Sequence, residues 1–139
     1  MNSGFTLGDT SHRWNSVVAY TSDITVSDRN HKHNIADIPD DFEAFFDDLR
    51  AVTFVYNEAD SGRTHLGFIA QEVEDSLAKC GISTHNFAGI CISRDAETQK
   101  TTYSLRYEEF IPLNTLEIQK LKARVAELEK EIKELKGEN

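Results

Sequence analysis

The chain is poor in the residues that constrain a fold covalently or conformationally. Its 139 residues include two cysteines, two prolines and one tryptophan. Cys80 and Cys91 have no metal-binding spacing, so we expect two free, partly buried thiols in a reducing compartment rather than a disulfide. No apolar run has the length needed to span a bilayer, and the N-terminus lacks the basic and apolar regions of a signal peptide. From these absences we expect no membrane partner and no structural metal.

Basic residues are also scarce. The 15 lysines and arginines are outnumbered by 24 aspartates and glutamates, which gives a net charge of -9. Because binding to phosphates needs clustered lysine and arginine, we expect no nucleic-acid partner. The length is typical of one domain, with room for an appendage.

Composition divides the chain into three regions. Residues 1–26 are rich in serine, threonine, glycine and β-branched residues and have no helical period, which favours short strands. Such a segment is too short to bury a core alone. We interpret it as the end of a larger structure or as a strand that pairs with a partner. Residues 27–110 predict a small mixed domain, and residues 111–139 a long helix. The fold class is therefore α+β.

The middle region alternates helix and strand signals. Pro39-Asp40-Asp41 predicts a helix start, because proline suits the first turn and acids favour the positive end of the helix dipole. A second helix is predicted over 71–79 and ends before Gly81. The predicted strands are 52–56, 65–69, 88–93 and 101–105, the last two forming a hairpin with a polar loop. One apolar helix face is expected from Phe42, Phe45, Phe46 and Leu49.

The last region carries a heptad repeat over more than three heptads. Its apolar stripe, called the seam below, is Ile111, Ile118, Val125 and Ile132 at a, with Asn114, Leu121, Leu128 and Leu135 at d. The g residues Glu117, Arg124 and Glu131 are each opposite in charge to the e residues Lys122, Glu129 and Lys136. This pattern predicts a parallel, in-register homo-oligomer. Isoleucine at a with leucine at d favours two strands in simple peptides, so the heptads alone leave dimer and trimer open.

Ser27 and Lys32 form the candidate catalytic pair, five residues apart. A serine hydroxyl becomes a nucleophile when a base takes its proton, and a lysine serves as that base only when burial favours its neutral form. Asp28 lies between them in sequence. Since a carboxylate beside the amine would oppose the base role, we expect Asp28 to bind backbone amides as a turn or cap residue.

Several motifs resemble the C-terminal intramolecular chaperones of phage tailspikes, tail fibres and neck appendages, the family of the endosialidase chaperone. Ser27-Asp28-Arg29 with Lys32 and Ile35 is similar to the family's autocleavage motif. The central signature is similar to Gly67-Phe68-Ile69-Ala70-Gln71-Glu72-Val73. Tyr103, Leu105 and Tyr107 resemble its C-terminal strand, and Leu7-Gly8 with Arg13-Trp14 resembles the last turn of the fibre stalk.

The resemblance implies a homotrimer that guides folding of its own upstream triple-β stalk and then cuts itself off. Ser27 would be the nucleophile, Lys32 the base and Val26–Ser27 the scissile bond, making the chain a single-turnover serine peptidase acting in cis. It further implies that the chain works in the host cytoplasm during virion assembly. The stalk would stay in the virion, any host-surface role would belong to that stalk, and the chaperone part would be released.

Other readings of the same residues remain. The chain could be a structural trimerisation tip that never cleaves, or the autoprocessing domain of a membrane-tethered transcription factor, which shares the motif. Gln71 and Glu72 could orient Lys32 or bind stalk strands, or they could simply cap a helix and carry surface charge. His31 and His33 lack a third ligand in sequence reach, so no metal and no cofactor are expected.

Overall fold

The computed structural model describes residues 27–57 and 62–137. The predicted β-rich segment 1–26, and Asp60-Ser61 of the predicted turn, lie outside the described residues. The chain divides into two compact units, Met1–Asp37 and Ile38–Asn139. The predicted domain boundary after Val26 is defined by the predicted cleavage site and not by compactness, and it stays a prediction.

The second unit has a mixed α+β fold, as predicted. Its elements in chain order are α1 (Asp41–Asp48), β1 (Val52–Phe54), β2 (His65–Gly67), α2 (Ala70–Lys79), β3 (Ile90–Arg94), β4 (Thr101–Leu105) and α3 (Phe110–Lys136). The strands form two separate antiparallel pairs, β1 with β2 and β3 with β4. The first two strands are shorter than predicted, and the hairpin register places Ile92 opposite Tyr103.

The two short helices follow the sequence signals closely. α1 begins directly after Pro39-Asp40, and α2 is followed by Gly81 with φ of 72°, a left-handed conformation that favours glycine at a helix end. Their polar sides are joined by Asp48, which accepts hydrogen bonds from Ser76 Oγ at 2.7 Å and Lys79 Nζ at 2.8 Å. The apolar sides therefore face the same interior.

The core lies where α1, α2, the second hairpin and the start of α3 meet. Phe45 is fully buried, and its ring packs edge-on against Phe87, which packs edge-on against Phe110. Phe42, Phe46 and Leu49 pack around this core, which confirms the predicted apolar face of α1. Among the described residues, the buried hydrophobic side chains are Phe45, Val73, Leu77, Ile82, Phe87, Ile90, Phe110 and Leu113.

Helix α3 uses two different faces. Its first turns bury Phe110, Leu113 and Glu117 against the domain, a spacing that keeps them on one side of the helix. The apolar seam lies elsewhere, and its seven apolar side chains are 39% to 87% exposed. The predicted long helix is confirmed, while its seam faces solvent in the single chain.

Within the single chain, Glu117 contacts its own domain. The heptads assign it to a pair with Lys122 of another copy, but in the structure it is buried and its carboxylate accepts a hydrogen bond from Lys120 of its own helix at 3.3 Å. Lys120 also bonds Glu43 of α1 at 2.7 Å. Glu117 is thus part of the attachment between α3 and the domain.

Candidate active site

The pair predicted from the sequence is in direct contact. Lys32 Nζ donates a hydrogen bond to Ser27 Oγ at 2.7 Å. Both residues belong to the exposed stretch 27–37, which is the described part of the first compact unit. A five-residue separation has therefore become a hydrogen-bonded pair of a potential nucleophile and a potential base.

A short capped turn brings the two side chains together. Residues Arg29–His31 form one turn of 3-10 helix, with Asp28 as its N-cap. The Asp28 carboxylate accepts a hydrogen bond from the Asn30 N–H at 2.9 Å, as expected for a cap residue. The turn closes through the His31 N–H to the Asp28 carbonyl and the Lys32 N–H to the Arg29 carbonyl.

The direction of proton donation in this hydrogen bond depends on the charge of the lysine. An exposed lysine carries an ammonium group, which has only donors, so it can stabilise a serine oxygen but cannot take its proton. Base catalysis needs the reverse arrangement, in which a neutral amine accepts the Ser27 proton. The geometry suits nucleophilic catalysis once the surroundings of Lys32 favour the neutral amine.

The same turn limits where oxyanion donors can come from. The amides of Asn30, His31 and Lys32 are already engaged within it. They are therefore not free to bind the negative oxygen of a tetrahedral intermediate, a role that requires unoccupied donors.

Two further predicted site residues lie in the second unit. Glu72 of α2 pairs with Arg50 through two hydrogen bonds, one of them from Arg50 Nε at 3.0 Å. This contact, followed by the attraction of the Glu72 charge, raises the pKa of Arg50. Gln71 is exposed and lines a cleft of about 740 Å³ between the two hairpins. Glu72 thus forms an ion pair with Arg50, which lies in the loop after α1.

Sequence reasoning missed the junction beside that cleft. Gly67 lies so close to Tyr107 that a methyl group on Gly67 would overlap the Tyr107 hydroxyl. Tyr107 stacks on Phe68 at a ring-centroid distance of 6.1 Å. The resemblance names all three residues but not their contact, because nothing in a linear motif pairs residues about forty positions apart.

Over residues 27–57 and 62–137, no group of three or more histidine, cysteine, aspartate or glutamate side chains is placed to hold a metal ion. Cys80 and Cys91 are free and half-buried. No helix in this part of the chain combines the length and the apolar character needed to cross a membrane.

Comparison with known proteins connects the dyad segment to one family. Residues 27–82 match the model of a peptidase family described as the chaperone of endosialidase. No curated protein matches the chain. The matched segment begins at Ser27 and includes Lys32 and the Gly67–Val73 signature.

Two solved structures share the fold. A crystal structure of a novel intramolecular chaperon is 21% identical with a TM-score of 0.59, over 70% of this chain and 99% of that one. The C-terminal domain of the bacteriophage T5 L-shaped tail fibre with its intramolecular chaperone domain is 20% identical with a TM-score of 0.65. That match covers 95% of this chain but 37% of the tail-fibre chain. The resemblance predicted from the sequence is confirmed, and the fold is that of intramolecular chaperone domains.

Proposed function

We propose that this chain is the intramolecular chaperone of a phage fibre or tailspike, which trimerises, assists folding of its own upstream stalk and then cuts the Val26–Ser27 bond. The observation that carries the cleavage step is the 2.7 Å hydrogen bond between Lys32 Nζ and Ser27 Oγ. The family match over residues 27–82 and the shared fold support the chaperone role.

The pair can cut the bond that precedes its own nucleophile. Neutral Lys32 takes the hydroxyl proton while Ser27 Oγ attacks the Val26 carbonyl carbon, closing a five-membered ring. The ring opens by breaking the C–N bond, and the nitrogen of Ser27 takes the proton and becomes an amine. Water then hydrolyses the resulting ester, which leaves a carboxylate on Val26 and a free hydroxyl on Ser27. Activation of water by Lys32, or attack by a serine of a neighbouring chain, would give the same products.

Oligomerisation supplies the switch in this proposal. In the single chain, residues 27–37 are exposed and water favours the charged ammonium of Lys32. Neighbouring chains and a folded stalk would exclude that water and favour the neutral amine. Cleavage is thereby coupled to assembly and happens once per chain.

The seam of α3 supports association of several copies. Its apolar side chains, interrupted only by Asn114, form an exposed stripe along a 27-residue helix, which is an unfavourable arrangement for a lone chain in water. The g-to-e charges of the later heptads favour parallel alignment. The family resemblance supports the choice of three copies.

The same resemblance supports a place in the infection cycle. The chain would act in the host cytoplasm during virion assembly, after which the stalk remains in the virion and the chaperone part is released. Recognition of a host surface would then be a property of the stalk.

The test uses the full-length fibre, expressed with its stalk and followed on a denaturing gel. We expect two fragments, the smaller one beginning at Ser27 on N-terminal sequencing. Ser27→Ala and Lys32→Ala should give only the full-length band while light scattering still reports trimers. Lys32→Arg is the matched control for charge, and it should also fail because arginine stays protonated. A fragment that starts at another residue would contradict the assigned bond.

A non-cleaving structural tip is the second candidate. The exposure of Ser27 and Lys32 favours it, because a lysine acts as a base only where its surroundings exclude water. A single full-length band from a correctly folded, trimeric wild-type fibre would support this function and exclude the peptidase.

A further inference from the structure

We propose that Asp28 is a positioning residue for self-cleavage, acting through its side-chain cap on the turn 29–31 and not through its negative charge. This inference rests on the proposed function, because it assigns a role within the same reaction. It concerns the step that precedes chemistry, in which Lys32 is brought to the Ser27 hydroxyl.

The contacts that Asp28 makes with other described residues lie within the turn. Its Oδ1 accepts the backbone N–H of Asn30 at 2.9 Å and the side-chain amide of the same residue at 3.1 Å. Its backbone carbonyl accepts the His31 N–H at 3.0 Å. Asp28 itself is extended, with φ of -66° and ψ of 134°, as usual for the residue before a helical turn.

The turn is what makes the dyad possible. In an extended chain, five residues span roughly 16–18 Å, which is farther than the two side chains can bridge. A 3-10 turn rises by only about 2 Å per residue and so brings Lys32 back toward Ser27. The observed Nζ–Oγ distance of 2.7 Å therefore requires the turn between them to be formed.

An isolated turn of three residues is weak, because one hydrogen bond compensates poorly for the backbone freedom that is lost. Residues 29–31 are all exposed, so none of their own side chains is buried in a way that would hold the turn in place. The side-chain cap of Asp28 is thus a principal local contribution to the population of turns that present Lys32 to Ser27.

Charge is the competing explanation. A carboxylate could in principle assist by orienting the ammonium or by taking a proton itself. Its hydrogen bonds instead go to Asn30, and a negative charge near Lys32 would favour the ammonium over the neutral amine. Asparagine is as good an N-cap as aspartate, so the two explanations predict opposite results for one substitution.

The experiment compares first-order cleavage rates of the full-length fibre carrying Asp28→Ala, Asp28→Asn or Asp28→Ser. We expect Asp28→Ala to slow cleavage roughly two- to thirtyfold, the range that follows from losing an N-cap. The two capping variants should restore the rate to within about threefold of wild type. Asp37→Ala makes the same substitution at an exposed aspartate outside the turn 29–31, so it serves as the matched control with a rate near wild type.

The pH profile separates positioning from proton transfer. If Asp28 acts through the cap, the Asp28→Ala profile has the same shape as the Asp28→Asn profile and is lower by one factor at every pH, because both variants lack the charge and only Asp28→Ala lacks the cap. Removing the charge in Asp28→Asn should leave the rising limb in place or move it to lower pH, because the neutral amine is then less disfavoured.

The outcomes distinguish this inference from the proposed function. No cleavage by the wild-type fibre, or equal cleavage by Ser27→Ala, would overturn the peptidase itself. If those controls behave as expected but Asp28→Ala cleaves at the wild-type rate, only the positioning role is wrong. Loss of cleavage in both Asp28→Ala and Asp28→Asn, with trimers intact by light scattering, would assign the role to the charge and would also overturn the inference.

Discussion

The Tyr107 hydroxyl accepts a hydrogen bond from the Phe68 N–H at 3.1 Å, across a sequence separation of 39 residues. Phe68 lies between β2 and α2, whereas Tyr107 lies in the 3-10 turn Tyr107–Glu109, which directly precedes α3. The bond and the stacked rings therefore connect the first hairpin to the start of the long helix. The small residue Gly67 makes room for this contact.

Replacing Tyr107 with phenylalanine tests the hydrogen bond while keeping the ring. We expect Tyr107→Phe to lower the free energy of unfolding by about 0.5–1 kcal/mol, because the Phe68 N–H loses its protein acceptor. The measurement is chemical denaturation at a fixed protein concentration, since association also contributes to stability. Tyr56→Phe removes a hydroxyl from an exposed ring beside the same hairpin, and a loss as large as that of Tyr107→Phe would contradict the assignment.

Gly67→Ala tests the close approach. The added methyl group would overlap the Tyr107 hydroxyl and would lie 3.2 Å from the Phe54 ring, so we expect a loss of about 1–3 kcal/mol. Removing the Tyr107 hydroxyl relieves the worst contact, and Gly67→Ala should therefore cost less in a Tyr107→Phe background. A double-mutant cycle measures this coupling, and strictly additive effects would show that the two groups do not compete for the same space.

The contact between α1 and α2 predicts a dependence of stability on pH. The Lys79 ammonium, followed by the Ser76 hydroxyl, holds the pKa of Asp48 below its ordinary value of 3.8. A lowered carboxyl pKa contributes stability above that value, and the contribution is lost as the pH falls through the pKa of the folded form. Asp48→Asn should be less stable than wild type at pH 7, and the difference should shrink below about pH 4.

Denaturation at several pH values checks this expectation. Asp47→Asn makes the same chemical change on the neighbouring exposed position of α1 and should not reproduce the pH-dependent gap. If the difference in unfolding free energy between wild type and Asp48→Asn stays constant from neutral to acid pH, ionisation of Asp48 is not the cause of the lost stability.

A pair of substitutions on α3 tests the seam. Val125→Asp places a charge at a seam position, and we expect oligomers to dissociate because apolar burial between copies is replaced by repulsion. Ala123→Asp makes an equally polar change two residues earlier, on the face away from the seam, and should leave the oligomer intact. Light scattering after size-exclusion chromatography gives the mass, and equal masses for both variants would contradict the seam.

Helix periods, caps and turn residues were sufficient to predict α1, α2, α3 and the second hairpin, because these signals are local. The spacing of Ser27 and Lys32 and the capping role of Asp28 were accessible for the same reason. The contact of Tyr107 with Gly67 was not, since it depends on how distant segments pack. The pair of Glu117 with Lys122 of another copy stays a prediction, whereas the contact of Glu117 with its own domain was not predicted, because a heptad pattern records the helix period but not which turns the domain itself covers.

The burial of Glu117 also fixes how α3 is rotated about its axis relative to the domain. Since Phe110, Leu113 and Glu117 hold one side of α3 against the domain, the direction in which the seam points is set relative to every other part of that domain. Inserting one residue between Glu117 and Ile118 would turn the seam by about 100° around the helix axis. Copies that join along the seam would then meet with their domains facing the wrong way, although the seam contacts from Ile118 onward could still form. The contacts of the first turns of α3 thus fix the rotation of this helix about its own axis relative to the domain.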